Sequence, residues 1–329
     1  MKHDTQSHWI SKDVTHLPDF IIGGAMKSGT TTLHAILNNH PDICIAHNEL
    51  GFFDVDSILQ HPDFNFFDKA NTLWHSPDLE TASDLFWDWY RDQFKALNHS
   101  GLLGEDSTTY LASKRAALRI SQQPKPIKMI FVLRHPTART ISNYLHLLKS
   151  GRAIYNLEDT LRYNPHSIIN RSLYLEQLQY YYDVLPFQQI QVVLFEDLIH
   201  DRNSCLKRIC DFLGVDFDKY QTTDLEVHSN KTVIPKYIWL QLLRNKWMQG
   251  SRDYRYSRFL PNQPSFNKTL PLRYRLIDKM HQQINPKGSH YKFIPLDSTV
   301  ALLDKYFKIE LEGIDALTQQ NIYSKWFPN

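Results

Sequence analysis

The feature that most constrains this chain is a glycine-containing loop between a short apolar run and a helical pattern. Phe20-Ile21-Ile22 has the character of a buried strand, and Gly23-Gly24 turns the chain out of it. Residues 24–31 are Gly-Ala-Met-Lys-Ser-Gly-Thr-Thr, and a predicted helix over residues 30–39 follows. In a strand–turn–helix unit, backbone N–H groups and the helix N-terminus attract an anion. The sequence therefore predicts a phosphate-binding loop here, and the alternative is a turn that only caps the helix.

The lysine of this loop is displaced from its place in the triphosphate-binding pattern G-x-x-x-x-G-K-[ST]. Thr30 occupies the lysine position, and the lysine of the loop is Lys27. There it would lie beside the terminal group of a 5′-phosphosulfate rather than along a β/γ-phosphate. Thr30, Thr31 and Thr32 would add hydroxyl donors. No acidic Mg²⁺ partner of the triphosphate kind stands out at the predicted strand ends, and a sulfuryl group carries less charge than a γ-phosphate, so we expect no metal.

Strand and helix patterns alternate along the rest of the chain. Predicted strands lie at residues 43–45, 127–133 and 190–195, and predicted helices at residues 138–149, 173–185, 204–213 and 298–307. This alternation predicts the α/β class, with a P-loop-like parallel β-sheet flanked by helices on both faces. We expect one domain over residues 19–329, with a helical or loop C-terminal lid, after a polar N-terminal segment at residues 1–18. Residues 228–263 show no strand pattern and are expected to form helices and loops over one end of the sheet.

Charge and cysteine content limit the compartment and the partners. The chain has 37 basic and 35 acidic side chains, and the net charge of +2 is too weak to indicate nucleic acid as the main partner. Cys44, Cys205 and Cys210 are too few and too scattered for a disulfide framework or a zinc site, and the last two are expected to be buried thiols on a helix. The polar N-terminus and the lack of any apolar run of about 18 residues predict no signal peptide and no membrane span. We expect a soluble cytoplasmic protein, and its oligomeric state is not predicted.

A second candidate anion site follows the strongest strand pattern. Arg134 comes directly after that strand, and Ser142 lies eight residues on, in the predicted helix. An arginine and a serine hydroxyl that converge there could hold the 3′-phosphate of a nucleotide, with the arginine binding bidentately. Taken singly, Arg134 is better explained as a charge partner at the start of a helix, and Ser142 as a serine on a helix surface.

Together these motifs resemble the PAPS-dependent sulfotransferase family. Lys27-Ser28-Gly29-Thr30-Thr31 resembles the family's 5′-phosphosulfate loop, P-K-[SA]-G-T-T, with Met26 in place of the usual proline. Residues 132–144 are similar to its 3′-phosphate motif, in which arginine and serine have this spacing. The resemblance implies that the chain moves a sulfuryl group from 3′-phosphoadenosine 5′-phosphosulfate (PAPS) to a hydroxyl or amine and releases 3′-phosphoadenosine 5′-phosphate (PAP). The donor-binding residues that it implies are Lys27, Ser28, Gly29, Thr30, Thr31, Thr32, Arg134 and Ser142.

Four further segments resemble the heparan-sulfate-like branch of that family, in its eukaryotic and bacterial forms. Residues 48–54 resemble K-E-x-x-F-F-D, residues 104–110 resemble G-E-K-[ST]-P-x-Y, residues 172–174 resemble a G-x-Y segment near the nucleotide, and residues 287–290 resemble a K-G-R lid. The resemblance implies nucleotide contacts by Tyr174, Lys287, Gly288, Ser289 and His290. Asn48 and Asp106 stand where the pattern has lysines, and Ser289 where it has arginine. The two missing lysines argue against a heparan-like polyanionic acceptor but not against PAPS.

Sulfuryl transfer needs a base for the acceptor proton and positive charge for the leaving group. Glu49 is the predicted base because it follows a short strand at the edge of the sheet where loops gather, and Lys27 would stabilise the leaving phosphate. Asp54 would orient the acceptor or the neighbours of Glu49. The rival bases are Asp106, Glu105 and His47.

The acceptor is not predicted beyond a glycan, lipid or small metabolite. Aromatic and basic residues of the C-terminal third could line its groove or form a structural surface: Trp239, Trp247, Tyr254, Tyr256, Arg252, Arg255 and Arg258. Two other functions stay open at this point. One is a P-loop kinase that uses ATP and Mg²⁺, and the other is a non-catalytic carbohydrate-binding protein on a nucleotide-binding fold.

Overall fold

Five short strands pair in parallel to form the central sheet of the computed structural model, which describes residues 7–15, 17–68, 71–95, 97, 101–221, 233–248 and 272–328. The order across this sheet is β2-β5-β1-β6-β7, and two-stranded antiparallel ribbons, β3-β4 and β8-β9, lie outside it. The strands are β1 (Phe20–Gly24), β2 (Ile43–Ile45), β3 (Phe66–Asp68), β4 (Leu73–His75), β5 (Leu102–Asp106), β6 (Lys128–Leu133), β7 (Ile190–Leu194), β8 (Ile234–Pro235) and β9 (Lys287–Gly288).

Helices connect the strands and cover the sheet. They are α1 (Thr30–Asn38), α2 (Leu79–Lys95), α3 (Lys114–Ser121), α4 (Pro136–Ser150), α5 (Leu157–Tyr163), α6 (His166–Ile169), α7 (Tyr174–Tyr182), α8 (Phe195–His200), α9 (Arg202–Leu213), α10 (Ile238–Trp247), α11 (Leu272–Ile284), α12 (Asp297–Glu310), α13 (Ile314–Thr318) and α14 (Tyr323–Trp326). None of the helices in the described ranges combines the length and the apolar character needed to cross a bilayer.

Successive side chains of the central strands point to opposite faces of the sheet, and each face has its own core. Phe20 and Ile22 pack in a cluster with residues of α1 and α9, whereas Ile21 belongs to a larger cluster with residues of α2, α3, α7 and α12. Both faces of the sheet are therefore covered by helices. The predicted α/β class with a parallel, helix-flanked sheet is confirmed.

Strand order determines where a ligand can bind. The connection from β1 leads to β2 on one side, and the chain later crosses to β6 on the other side of β1. In open α/β sheets, ligands bind beyond the carboxyl ends of the strands at such a switch point. The phosphate loop leaves the carboxyl end of β1, so it lies at this place.

Several predicted boundaries are wrong. Helix α4 begins at Pro136 rather than near residue 138, because proline suits the first turn of a helix. Phe195 begins α8 instead of ending a strand. Two short helices, α13 and α14, follow the helix that we expected to be the last. Strand β5 escaped prediction because its apolar part is only two leucines.

The C-terminal region differs from expectation in one respect. Ile234–Pro235 pairs antiparallel with Lys287–Gly288, so a strand does occur within residues 228–263, where none was expected. A two-residue strand is too short to give an alternating pattern. Most of the rest of the described part of that region is α10, and residues 228–232 and 249–263 lie outside the described residues.

Two other predictions concern buried side chains and the N-terminal boundary. Cys205 and Cys210 are free, buried thiols on α9, as predicted.

Trp9, in the N-terminal segment of residues 1–18, is buried in the core, and the Arg119 guanidinium lies 3.4 Å from the centre of its ring. The division of the chain between residues 18 and 19 stays a prediction.

Candidate active site

The phosphate loop turns sharply at two residues with left-handed backbone conformation. Lys27 has φ 69°, and Gly29, directly before α1, has φ 92°. Any side chain at position 29 would be strained at this φ, and its Cβ would lie 2.5 Å from a carbon of the Phe195 ring. Only glycine meets both conditions, so the turn into the N-terminus of α1 depends on this residue.

Hydroxyl groups of the loop differ in burial. Ser28 is fully buried, and its Oγ lies beside the Tyr174 hydroxyl without a hydrogen bond of normal geometry to any described residue. Thr30 and Thr32 are also buried, whereas Thr31 is exposed. Buried polar atoms are nearly always hydrogen-bonded. The buried Ser28 hydroxyl, which lacks a hydrogen bond of normal geometry within the described residues, therefore fits a loop that binds an oxygen-rich ligand.

Positive charge surrounds Lys27. Burial is the largest cause that lowers the pKa of Lys27, and repulsion from Lys149 and, to a smaller extent, from Arg134 lowers it further. Attraction to Glu49 raises this pKa. On α4, burial followed by repulsion from Lys27 and three further cations lowers the pKa of His146 to about 4. Cations held this close repel one another unless an anion lies among them. The electrostatics of the loop therefore favour an anionic ligand.

Arg134 reaches the loop from the end of β6. Its Nη1 donates to the carbonyl oxygen of Lys27 at 3.5 Å, and its guanidinium lies 4.9 Å from the centre of the Phe195 ring. The hydroxyl of Tyr174 donates to the carbonyl oxygen of Arg134 at 2.9 Å. Tyr174 is fully buried, so the structure places it behind Arg134 as a support of its backbone. Ser142 is half-buried, in the second turn of α4.

The predicted lid lies on the β8-β9 ribbon at the surface. Lys287, Ser289 and His290 are exposed, and Gly288 pairs with Ile234 of β8. The ribbon packs next to α4, the helix that carries Ser142. In the structure the predicted lid residues thus lie on a surface ribbon whose strand β8 contacts α4.

Glu49 lies in a cleft beside Lys27. Its side chain is open to solvent, yet protein surrounds it closely enough that burial, followed by repulsion from Asp106, raises its pKa. The Thr108 hydroxyl donates to Glu49 Oε2 at 2.8 Å, and Arg171 and Lys27 oppose the rise in pKa by attraction. A carboxylate that is accessible, oriented by one hydrogen bond and raised in pKa has the properties of a general base.

Glu105, a rival base, is instead a buried anchor. It is fully buried at the end of β5, and hydroxyl groups occupy both of its oxygens. Tyr90 donates to Oε2 at 2.5 Å, and Ser107 and Tyr110 each donate to Oε1 at 2.6 Å. Burial raises its pKa to about 7 against the effect of these hydrogen bonds. No oxygen is left for an acceptor, so the structure argues against Glu105 as a base.

The hydroxyl groups on Glu105 also hold the segment that carries Glu49. Ser107 Oγ accepts a hydrogen bond from the backbone N–H of Gly51 at 2.9 Å. The Tyr110 hydroxyl accepts one from the backbone N–H of Phe53 at 3.0 Å. Through these two hydroxyl groups, the Glu105 carboxylate fixes the backbone at Gly51 and Phe53, within the segment of residues 48–54 that carries Glu49. This network joins residues more than 50 positions apart, so the sequence alone could not show it.

Asp54 supports the same segment from the other side. It is fully buried, and its Oδ1 lies 2.6 Å from His61 Nε2 and accepts a hydrogen bond from Thr109 Oγ1 at 3.3 Å. Asp54 thus contacts two side chains outside its own segment, and its predicted role of orienting the acceptor or the neighbours of Glu49 stays a prediction. His47, the remaining rival base on this strand-to-loop connection, is exposed.

Asp106, the last residue of β5, corrects an expectation. We expected no acidic residue of the kinase type at a strand end, but Asp106 lies at the carboxyl end of the strand next to β1. The short apolar part of β5 hid this strand end in the sequence. His34 Nδ1 lies 3.3 Å from Asp106 Oδ2. Within the described ranges, no group of three or more His, Cys, Asp or Glu side chains could hold a metal ion.

Two arginines of the site were not predicted. Arg139 is fully buried on α4 and donates to Ser172 and to the carbonyl oxygen of Ile168. Arg171 donates to Met26 Sδ at 3.5 Å and acts on both Glu49 and Asp54. Arg139 could have been found as a charged residue on the buried face of α4. No local sequence pattern marks Arg171 as a residue of the site.

The predicted acceptor groove can be placed only in part. Trp239 and Trp247 are exposed on α10, at 65% and 68% of their surface. Tyr254, Tyr256, Arg252, Arg255 and Arg258 lie outside the described residues. The structure leaves both interpretations of these side chains open.

Comparisons with known proteins identify the family. A model of the Sulfotransferase family matches residues 18–219. The chain is 30% identical over 224 residues to human heparan sulfate glucosamine 3-O-sulfotransferase 3B1, a match that covers 66% of this chain and 50% of the relative. It is 26% identical over 250 residues to human heparan sulfate glucosamine 3-O-sulfotransferase 5, covering 73% of this chain and 64% of the relative. The chain thus spans about half to two thirds of the length of these relatives.

A solved structure shows the same fold over nearly the whole chain. A sulfotransferase from Alicyclobacillus acidocaldarius is 22% identical, with a TM-score of 0.58, and the match covers 94% of this chain and 98% of that structure. The match of the family model to more than half of the chain agrees with the resemblance of the two anion-binding motifs. The chain therefore belongs to the sulfotransferase family.

Proposed function

We propose that the chain transfers a sulfuryl group from PAPS to a hydroxyl or amine, with Lys27 and Arg134 on the donor and Glu49 as the general base. The observation that carries this proposal is the convergence of these three residues. Arg134 donates to the carbonyl oxygen of Lys27, and Lys27 and Glu49 influence each other's pKa. PAPS supplies an activated sulfuryl group with a phosphate as its leaving group.

The site fits such a donor because it offers cations and the buried Ser28 hydroxyl at the end of β1. Lys27 and Ser28, with Thr30 and Thr32, would hold the 5′-phosphosulfate. Arg134, together with Ser142 on α4, would hold the 3′-phosphate through a bidentate, charge-assisted contact. The ribbon that carries residues 287–290 packs near α4 and would close on the nucleotide from outside.

Glu49 would take the proton from the acceptor atom as that atom attacks sulfur. Its raised pKa increases its strength as a base, and the hydrogen bond from Thr108 leaves one carboxylate oxygen available. The Lys27 ammonium would stabilise the negative charge that develops on the leaving side. Lys27 is fixed before the reaction by its position in the loop, so little reorganisation is needed.

The acceptor is proposed to be a glycan, lipid or small metabolite rather than a heparan-like polyanion. The names of the relatives describe sulfation of heparan sulfate glucosamine. In this chain Asn48 carries no charge, and Asp106 brings a carboxylate to the cleft next to Glu49. Two carboxylates in the cleft would repel a strongly anionic acceptor.

Radiolabelled PAPS tests this proposal directly. The protein is incubated with [³⁵S]PAPS and pooled glycans, lipids, phenols and peptides, and transfer of label is measured against Lys27→Ala as the inactive control. Transfer to any pool would support the proposal and exclude a purely carbohydrate-binding protein. Label that stays on PAPS in every pool, at the level of the control, would contradict it.

A further inference from the structure

One oxygen of the buried Asp106 carboxylate has no hydrogen-bond partner among the residues that the structure describes. Asp106 is only 3% exposed, and its Oδ2 faces His34. Its Oδ1 is buried and makes no hydrogen bond to any residue in the described ranges. Since buried polar atoms are nearly always hydrogen-bonded, Oδ1 is expected to receive a hydrogen bond from a ligand.

The position of Asp106 indicates which ligand this is. The residue ends β5, beside the end of β1 where the phosphate loop begins. Thr108, two residues further on, donates to Glu49, and the Asp106 carboxylate acts on Glu49 electrostatically. Asp106 therefore lies between the loop that would hold the donor and the base that would deprotonate the acceptor. A group bound at Asp106 belongs to the acceptor.

Charge narrows the chemistry of that group. Glu49 has two cations that attract it, Arg171 and Lys27, whereas the described partner of Asp106 is His34. A hydrogen-bond donor on the acceptor would satisfy Oδ1, and a cationic donor would also reduce the repulsion between the two carboxylates. A carboxylate or sulfate of the acceptor at this place would face the carboxylates of Asp106 and Glu49 and would be repelled by them.

We propose that Asp106 is a specificity-determining residue that accepts a hydrogen bond from an amino or hydroxyl group of the acceptor, close to the atom that is sulfated. This inference rests on the proposed sulfuryl transfer. It predicts that ammonium groups are preferred to hydroxyls at this place and that anionic groups are rejected.

Two matched sets of probes test this preference. One set is octyl β-glucosaminide, octyl β-glucoside and octyl β-glucuronide, and the other is tyramine, tyrosol and 4-hydroxyphenylacetate. In the phenol set only the terminal ammonium, hydroxyl or carboxylate group changes. In the sugar set the ammonium replaces the C2 hydroxyl of the glucoside, and the carboxylate replaces its C6 hydroxymethyl group. Single-turnover transfer from [³⁵S]PAPS and binding to the PAP-loaded protein are measured for each probe.

The wild-type protein is expected to prefer the amino probe, then the hydroxyl probe, in at least one set. Asp106→Asn keeps the shape and loses the charge, so the preference for the amino over the hydroxyl probe should fall by about 10-fold to 100-fold, the range for a hydrogen bond to a charged group. Asp106→Lys should shift the preference to the anionic probe. Asp211→Asn, a change at an exposed aspartate of α9, serves as the matched control and should leave the preference unchanged.

Three outcomes would overturn the inference. If Asp106→Asn keeps the wild-type preference for the amino over the hydroxyl probe, Asp106 does not bind the amino or hydroxyl group of the acceptor. An equal loss of turnover on all probes, without a change in their relative binding, would make Asp106 the base or a structural residue. Failure of the wild-type protein to bind or sulfate any amino or hydroxyl probe, while PAP still binds, would reject the inference and leave the donor assignment intact. Failure to bind PAP would reject both.

Discussion

Glu49 and Lys27 share one cleft, and burial shifts their pKa values in opposite directions. Burial raises the pKa of Glu49 and lowers that of Lys27, because both charged forms lose water. Their mutual attraction partly offsets both shifts. A base of raised pKa next to a cation that is already desolvated is the arrangement that proton removal and leaving-group stabilisation require.

Glu49→Gln is expected to reduce turnover while nucleotide binding is kept. Glutamine preserves the shape and can still accept the Thr108 hydrogen bond, but it cannot take a proton. General-base catalysis contributes about 10²–10⁴-fold, so the single-turnover rate should fall by that factor. PAP affinity, measured by calorimetry, should stay near the wild-type value, whereas Lys27→Ala should weaken both quantities.

The control for this change is Glu312→Gln, at an exposed glutamate. In the wild-type protein the rate should fall on acidification as Glu49 becomes protonated, with a midpoint above the ordinary pKa of a glutamate side chain. This acid limb should disappear in Glu49→Gln. Near-native turnover of Glu49→Gln would refute the assignment and shift attention to His47 or Asp106.

At the scale of elements, the end of β5 holds the segment that carries Glu49 in place. Glu105 accepts hydrogen bonds from three hydroxyl groups. Two of these hydroxyls, those of Ser107 and Tyr110, in turn accept hydrogen bonds from the backbone N–H groups of residues 51 and 53. The strand thus contributes two buried carboxylates to the site, Glu105 and Asp106. The position of Glu49 depends on a residue that never touches a substrate.

Glu105→Gln is expected to lower both stability and turnover. The amide NH₂ cannot accept a hydrogen bond, so at least one buried hydroxyl loses its acceptor, which costs about 1–3 kcal/mol. Urea unfolding measures the stability, and the single-turnover rate reports on the position of Glu49. Tyr90→Phe is the matched control, since it removes a hydrogen bond to Glu105 but leaves the links to residues 51 and 53.

Tyr90→Phe should therefore lose stability and keep its turnover. The pH dependence provides a second check, because the pKa of Glu105 is raised to about 7 in the folded protein. Below that pH the folded state binds a proton that the unfolded state has lost, so its contribution to stability increases as pH falls from about 7 to about 4.5, by about 1.4 kcal/mol per pH unit. The difference in unfolding free energy between wild type and Glu105→Gln should grow over this range. A difference that is independent of pH would contradict the role assigned to this carboxyl group.

Local patterns predicted the elements with strong periodicity and missed those defined by distant contacts. The loop at residues 24–31 and the strand before Arg134 were predictable, because apolar runs, glycines and helix starts are local signals. Strand β5 was missed because three of its five residues are Gly-Glu-Asp, and its strand character comes from pairing with β1 and β2. The partners of Glu105 and the position of Arg171 likewise depend on packing between separate elements, which a single sequence does not reveal.

At the scale of the whole molecule, the order of the sheet joins the two anion-binding motifs. Strands β1 and β6 are neighbours, so the phosphate loop and Arg134 emerge side by side although they are about 100 residues apart. Strand β5, on the other side of β1, brings Asp106 and Thr108 to the same edge. The cytoplasmic location and the domain boundary stay predictions.

Chelation of metal ions is expected to leave sulfuryl transfer intact. Lys27 and Arg134 provide fixed positive charge at the loop, and Asp106 is engaged by His34 rather than by a cluster of metal ligands. The rate with [³⁵S]PAPS should be the same with EDTA and with Mg²⁺. Loss of turnover on chelation, restored by Mg²⁺, would instead indicate a kinase-like site in which Asp106 holds the metal.

The most direct test of the account compares PAP with adenosine 5′-monophosphate, which lacks the 3′-phosphate, by calorimetry. If Arg134 and Ser142 hold the 3′-phosphate, PAP should bind more tightly by about 10-fold to 100-fold, as expected for a charge-assisted contact. Arg134→Met should remove most of this difference and leave the affinity for the monophosphate nearly unchanged. Equal affinity of the wild-type protein for the two nucleotides would contradict the proposal that this chain uses PAPS.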